Sequence, residues 1–155
     1  MSKIIQADFI QLQATETSQL GVFRKIAAIA MEKGIASSEE EVVTGLKERE
    51  AQSTTGFQDG FAIPHTQCAG ILKPAIVIVR TETGIEWESF DDQPAFFFIA
   101  LLIPKEEAGS THLQALSSLS RVLMDDNKRQ ELLEAQTNEK LAALVEKAIS
   151  SGEVH

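Results

Sequence analysis

Two long apolar runs dominate the middle of the chain. Residues 75–79 and 94–103 are rich in Ile, Val and Phe without a polar interruption. Such runs are typical of strands that are buried on both faces of a sheet. The stretch between them, 82–93, is polar and irregular, and its aromatic residues Trp87 and Phe90 are expected to pack back on the core.

Two shorter stretches predict further strands. Residues 7–12 mix apolar and polar positions, which indicates an edge strand, and residues 61–63 form a short apolar strand. Pro64 ends that strand, because proline disfavours helical geometry in the residue before it and cannot donate to a sheet. His65 is therefore expected on a loop directly after a strand, where functional side chains concentrate in α/β proteins.

Apolar residues that recur at helical spacing predict about five helices. The first begins after the N-cap candidate Ser18 and ends near Gly34, and the second begins at Ser38, which fits a capping box with Glu41. A third begins at Ser110 or the residue after it. Two further short helices are predicted near 129–134 and 139–149. The apolar positions of the first three helices are Leu20, Phe23, Ile26, Ala27 and Ala30 in the first, Val42, Val43 and Leu46 in the second, and Leu116, Leu119 and Leu123 in the third. Together the elements predict an α/β three-layer sandwich, in which helices flank both faces of a mixed, mostly parallel sheet.

Size and charge narrow the class of protein. The 155 residues suit one domain over 1–155, and the net charge of −9 argues against binding nucleic acid or an anionic membrane surface. The longest apolar run, 95–103, is far shorter than the roughly 20 residues that a membrane-spanning helix needs. Nothing at the N-terminus resembles a signal peptide, and the lone Cys68 excludes an internal disulfide. We therefore expect a cytoplasmic protein that does not insert into the membrane.

Three basic side chains lie at the ends of predicted elements and point inward. His65 follows a strand, His112 lies in the first turn of a helix on its apolar face, and Arg49 continues the apolar face of the second helix. A neutral imidazole is a good nucleophile toward phosphorus, and a second histidine with an arginine would bind the oxygens of the phosphoryl group. Taken singly, each residue has an ordinary alternative, since His112 also suits a packed core and Arg49 also suits the negative end of a helix dipole.

Two other chemistries have less support. Cys68 lies three residues after His65, so a Cys/His nucleophilic pair is an alternative, although a lone cysteine beside a strand is more often a small buried apolar residue. No histidine or cysteine spacing matches a metal motif, so no metal site is expected. His155, in the polar tail, is expected to be inert.

The chain resembles the type 2 enzyme IIA domains of the bacterial sugar phosphotransferase system. The resemblance is carried by Arg49-Glu50, by Thr54-Thr55-Gly56-Phe57-Gln58-Asp59-Gly60, and most specifically by Phe61-Ala62-Ile63-Pro64-His65. Downstream segments are similar to the fructose-type members, and they are Lys73-Pro74-Ala75, Gly84-Ile85-Glu86-Trp87, Gln93-Pro94, and Thr111-His112-Leu113 with Leu116 and Leu119. The similarity covers residues 6–149. Gln58, Phe61 and Thr66 depart from the residues usual in that family.

The resemblance implies a phosphocarrier with phosphotransferase activity. His65 would accept a phosphoryl group from the histidine-containing phosphocarrier protein and pass it to a cysteine of enzyme IIB during sugar uptake. His112 and Arg49 would assist by binding the phosphoryl group, Thr54 and Thr55 would line the site, and no metal or cofactor is needed. The site would have to be open, since two proteins reach it. The resemblance leaves one alternative, a nitrogen-type regulatory enzyme IIA that acts by phosphorylation-dependent partner binding.

Overall fold

The structure, a computed structural model, describes residues 4–106 and 110–153, without the side chains of residues 110–113 and 150–153. The described chain forms five strands and five α-helices, and a short 3₁₀ turn, Ala7–Phe9, precedes the first strand. In chain order the elements are β1 (Ile10–Ala14), α1 (Gln19–Glu32), α2 (Glu39–Gln52), β2 (Phe61–Ala62), β3 (His65–Cys68), β4 (Ala75–Ile85), β5 (Ala95–Pro104), α3 (Ser110–Leu123), α4 (Asp126–Glu134) and α5 (Asn138–Glu153).

The strands form one mixed sheet. Its order is β1-β4-β5, and β2 and β3 both lie along the outer edge of β5. Strand β4 is antiparallel to β5, whereas β1, β2 and β3 each pair in parallel with their neighbours. The predicted mixed, mostly parallel sheet is therefore confirmed, and so is the edge position of the first strand.

Helices cover both faces of this sheet, as predicted. Strands β4 and β5 send alternate side chains to opposite faces, so that Val77 and Phe98 pack with α1 and α2 while Ile78 and Ile99 pack with α3, α4 and α5. Both faces are apolar because both are covered, which explains the unbroken apolar runs in the sequence. The outcome is a three-layer α/β sandwich whose central strands are buried over residues 75–79 and 97–103.

Side-chain caps begin α1, α2 and α4. The hydroxyl oxygen of Ser18 accepts from the backbone N–H of Gly21, and the hydroxyl oxygen of Ser38 accepts from the backbone N–H of Glu41, so both predicted N-caps are confirmed. The carboxylate of Asp125 caps α4, which therefore begins three residues before the predicted 129–134. At the end of α1, Gly34 has a φ of 73°, a left-handed conformation that glycine adopts without strain.

Several predicted boundaries and burials are wrong. Residues 7–9 form the 3₁₀ turn rather than the start of the edge strand, and β4 continues to Ile85 into the stretch that was predicted to be irregular. Trp87 is buried as expected, but Phe90 is 64% exposed and its ring packs against that of Phe57, with centroids 5.2 Å apart. Leu20, predicted on the apolar face of α1, is 38% exposed. No helix within the described residues is long and apolar enough to cross a membrane.

Candidate functional site

His65 lies on an edge strand that proline interrupts. Strand β2 pairs Ala62 with Phe98, and β3 pairs His65 with Leu101, so the register continues across the break. The carbonyl of Pro64 accepts from the N–H of Leu101 at 2.9 Å. The prediction of a loop at His65 is therefore wrong, because the neighbouring strand β5 supplies hydrogen-bond partners on both sides of the proline.

Among the described residues, two hydrogen bonds orient the histidine ring. Its Nδ1 lies 2.8 Å from the carbonyl oxygen of Ile63, and its Nε2 accepts from Nε of Arg49 at 3.1 Å. A carbonyl can only accept and a guanidinium can only donate, so the two contacts favour the same neutral tautomer, with the proton on Nδ1. The lone pair is then on Nε2, beside a permanent positive charge.

The ring is less accessible than the open site that the sequence led us to expect. His65 is 8% exposed, and Nδ1 faces the backbone. Arg49 is half-buried, and its guanidinium lies on the Nε2 side of the ring. A reacting phosphorus atom must therefore approach the ring at Nε2. Bonding to this one ring nitrogen is sufficient for the predicted phosphoryl transfer.

Arg49 stands in the last turn of α2, as predicted from the apolar pattern of that helix. Its Nη1 donates to the carbonyl oxygen of Ser53 at 2.7 Å, while its Nε donates to His65. These two bonds fix the plane of the guanidinium across the end of the helix. The structure thus brings together two of the three predicted basic groups, Arg49 and His65.

Glu50 organises the loop beside the site, a role that the sequence did not reveal. Its Oε2 accepts from the backbone N–H of Thr55 at 2.8 Å and from the indole N–H of Trp87 at 3.1 Å. Its Oε1 accepts from the hydroxyl of Thr55 at 2.6 Å. The signals in the sequence were the Arg49-Glu50 segment of the family resemblance and a tryptophan expected to return to the core.

Thr54 and Thr55 were predicted to line the phosphoryl site, and both hydroxyls contact the loop and its supports. The hydroxyl of Thr54 lies 3.1 Å from Oε2 of Glu50 and 2.6 Å from the carbonyl of Glu88, and it accepts from the N–H of Gly56. Thr55 is buried, with its hydroxyl on Glu50. These contacts determine the shape of the loop between Arg49 and His65.

The structure bears differently on two further candidate residues, His112 and Cys68. Helix α3 begins at Ser110, so His112 lies in its first turn as predicted, but the side chain of His112 is outside the described residues, as is His155. Cys68 lies three residues after His65 on the same strand, which directs the two side chains to opposite faces. Burial, reinforced by the charge of Glu41, raises the pKa of the Cys68 thiol. A Cys/His nucleophilic pair does not form.

The described geometry suits transfer of an anionic group to nitrogen. In the neutral imidazole the lone pair lies on Nε2, where it accepts from Arg49, and the same guanidinium is within reach of any oxygens that approach that nitrogen. Within residues 4–106 and 110–153, no group of three or more His, Cys, Asp and Glu side chains is placed to hold a metal ion.

Comparison with known proteins identifies the family of the chain. Residues 3–148 match the family described as phosphoenolpyruvate-dependent sugar phosphotransferase system, EIIA 2. The chain is 32% identical over 139 residues to the fructose-specific EIIA component of the phosphotransferase system of Haloferax volcanii, covering 90% of each chain.

Solved structures share the fold. The nitrogen regulatory protein IIA-Ntr of Neisseria meningitidis superposes with a TM-score of 0.83 at 27% identity, covering 92% of this chain and 96% of that one. Enzyme IIA for mannitol from Escherichia coli, solved in complex with phosphorylated enzyme IIB, has a TM-score of 0.73 at 20% identity, covering 91% and 97%. With the family match spanning almost all of its length, this chain belongs to the type 2 EIIA family of the phosphoenolpyruvate-dependent sugar phosphotransferase system, whose members are phosphotransferase components.

Proposed function

We propose that the protein is a phosphocarrier of sugar uptake, of the fructose type. His65 accepts a phosphoryl group from the histidine-containing phosphocarrier protein and passes it to a cysteine of enzyme IIB. The observation that carries the proposal is the pair of bonds on the His65 ring, which leaves the lone pair on Nε2 next to Arg49. The likeness to a fructose-specific EIIA component supports the choice of sugar system. A cytoplasmic location belongs to the same proposal, because both partners present their reacting groups there.

The transfer proceeds in line at phosphorus. The lone pair of Nε2 on His65 forms the new P–N bond while the bond to the donor's imidazole nitrogen breaks, and that nitrogen keeps the electron pair. Positive charge on the His65 ring is stabilised through Nδ1–H, which donates to the carbonyl of Ile63. Arg49 moves its N–H from Nε2 to the phosphoryl oxygens, where a guanidinium binds well.

The second transfer reverses the bonding. A thiolate of enzyme IIB attacks the phosphorus, the P–N bond breaks, and its electron pair returns to Nε2 of His65. We assign His112, in the first turn of α3, as a second donor to the phosphoryl oxygens, and the loop of Thr54 and Thr55 as the wall of the site. The complex of a mannitol enzyme IIA with phosphorylated enzyme IIB supports this type of partner.

A regulatory role is the second candidate, favoured by one observation. The structure with a TM-score of 0.83 is a nitrogen regulatory protein. Such a protein would accept the phosphoryl group at the same histidine but would not pass it on to enzyme IIB. Transfer from the phosphorylated protein to the cysteine of a fructose-type enzyme IIB therefore separates the two candidates.

The experiment is phosphorylation in vitro with phosphoenolpyruvate, enzyme I and the histidine-containing phosphocarrier protein. We expect an acid-labile label on the wild-type protein and on the control His155→Ala, but not on His65→Ala. Persistence of the label in His65→Ala would refute the proposal.

A further inference from the structure

Two hydrogen-bond partners of the His65 ring are held by the same short loop, which follows α2. Arg49, which donates to Nε2, is itself fixed by the carbonyl of Ser53 at 2.7 Å. Ile63, whose carbonyl receives Nδ1–H, donates its own N–H to the carbonyl of Thr55 at 3.0 Å. The orientation and the tautomer of the ring therefore both depend on where this loop lies.

The carboxylate of Glu50 supplies several of the hydrogen bonds that hold that loop in place. Glu50 accepts the backbone N–H and the hydroxyl of Thr55, and the hydroxyl of Thr54 also lies within hydrogen-bond distance. Glu50 is half-buried at the end of α2, while Thr55 is 5% exposed. In this setting an unpaired donor is costly, so the contacts restrict the loop to one position.

The same carboxylate ties the loop to the core. Its Oε2 accepts from the indole N–H of Trp87, which is 5% exposed. The indole ring packs edge-on against Phe23, with centroids 5.7 Å apart, and at 4.8 Å from Phe98. Since Phe23 belongs to α1 and Phe98 to β5, the carboxylate is anchored to a rigid part of the protein.

We propose that Glu50 is a positioning residue for phosphoryl transfer: through the loop it fixes Arg49 and Ile63, and thereby selects Nε2 of His65 as the accepting nitrogen. The inference rests on the proposed phosphocarrier function. Glu50 does not contact the reacting atoms. Its effect passes through Thr55 to the carbonyl of Ile63, and through the loop to the carbonyl that orients Arg49.

The Glu50→Ala and Glu50→Gln variants distinguish positioning from a need for charge. Alanine removes every acceptor and leaves the donors of Thr55 and Trp87 unpaired. Glutamine can keep its carbonyl oxygen toward both N–H groups and direct its NH₂ toward the hydroxyl oxygen of Thr55, which is able to accept. A positioning role therefore predicts that glutamine restores most of what alanine loses. Glu48→Ala, at an exposed position of the same helix, is the matched control.

Two readouts are needed, and the first does not require phosphorylation. Nitrogen-15 NMR of the His65 ring in the unphosphorylated, full-length protein reports the tautomer directly. We expect the Nδ1–H form in wild type, Glu48→Ala and Glu50→Gln, and an increased Nε2–H population in Glu50→Ala. Fluorescence of Trp87, the chain's single tryptophan, reports whether the indole contact is lost.

The second readout is the rate of phosphorylation by the phosphocarrier protein. We expect Glu50→Ala to lower kcat about 10- to 100-fold with little change in KM, since a 1 Å misplacement has effects of this size. Glu50→Gln should stay within about 3-fold of wild type, because the hydrogen-bond geometry is kept. An unchanged tautomer and an unchanged kcat in Glu50→Ala would overturn the proposal, and so would equal losses in the alanine and glutamine variants.

A second pair of variants covers the case in which Glu50→Ala does not fold. Thr55→Val removes the hydroxyl that Glu50 accepts, whereas Thr55→Ser keeps it. We expect the valine variant to shift the tautomer and the serine variant to restore it; equal spectra for the two would refute the inference. If wild-type protein accepts no phosphoryl group at His65, the proposed function fails, while the ring spectra still decide the positioning role.

Discussion

Replacing Gly45 with alanine should disturb the contact that places Arg49 beside His65. Gly45 lies one helical turn before Arg49 on α2, and Thr66 directly follows His65 on β3. A Cβ atom on Gly45 would lie 2.3 Å from Oγ1 of Thr66 and 3.2 Å from its Cβ. The helix approaches the strand this closely because glycine has no side chain.

The structure sets the magnitude of the effect. With Thr66 in its present rotamer, widening 2.3 Å to an ordinary contact of 3.4 Å requires helix and strand to separate by about 1.1 Å, whereas rotation of Thr66 relieves that contact and still leaves its Cβ at 3.2 Å. Overpacking of this kind costs about 1–3 kcal/mol. The better helix propensity of alanine offsets about 1 kcal/mol. We therefore expect the free energy of unfolding to fall by up to about 2 kcal/mol. Phosphorylation should be about 10- to 100-fold slower, since Arg49 is displaced with the helix.

A double-mutant cycle tests this reasoning. Urea denaturation and single-turnover phosphorylation are measured for Gly45→Ala, Thr66→Ala and the double variant. Thr66→Ala removes the atom at 2.3 Å, so the double variant should recover most of the stability and rate, with a coupling of about 1 kcal/mol or more. Thr44→Ala, exposed on the same helix, is the control. Wild-type stability and rate in Gly45→Ala, or the absence of coupling, would refute the close-approach argument.

Three further predictions concern single side chains. Arg49→Lys should slow phosphorylation about 10- to 100-fold and leave the circular dichroism spectrum unchanged. An ammonium group lacks the planar fork that lets a guanidinium bind the carbonyl of Ser53 and the phosphoryl oxygens together, and the lost hydrogen bonding amounts to about 1.5–3 kcal/mol. An unchanged rate would contradict this prediction. Cys68→Ser should leave phosphoryl transfer intact, and loss of transfer in this variant would support a nucleophilic pair of Cys68 and His65. Because the pKa of the Cys68 thiol is raised, its alkylation by iodoacetamide at neutral pH should be slower than that of a free thiol. The backbone N–H of Asp59 donates to the carboxylate of Asp91 and lowers the pKa of the Asp91 carboxyl group. The amide resonance of Asp59 should therefore shift with a midpoint below about pH 3.9, the ordinary value for aspartate. A midpoint above that value would be evidence against this contact.

Elements fixed by local chemistry were predictable from the sequence. The start of α2 follows from the Ser38 cap, and its apolar face leads from Val42 and Leu46 to Arg49 at the site. The two long apolar runs identified the central strands, because strands covered on both faces have no polar side. The inward position of Arg49 was predictable from helical periodicity, since Arg49 lies three residues, or nearly one helical turn, after Leu46.

Features that depend on distant partners were not predictable. His65 begins a strand because β5 offers Leu101 as its partner, 36 positions later in the chain. The carboxylate of Glu50 meets Trp87 across 37 positions, and no local pattern indicates such a contact. Trp87 and Phe90 lie in the same polar stretch of the sequence, yet Trp87 is buried against the core and Phe90 is exposed.

The most direct test of the account is to locate the phosphoryl group on the protein. Phosphorus-31 and nitrogen-15 NMR of histidine-labelled protein, after phosphorylation by the phosphocarrier protein, identify the bonded nitrogen. The account predicts a single phosphohistidine at His65 with phosphorus on Nε2, the nitrogen that accepts from Arg49 in the unphosphorylated protein. Phosphorus on Nδ1, or on a residue other than His65, would contradict it.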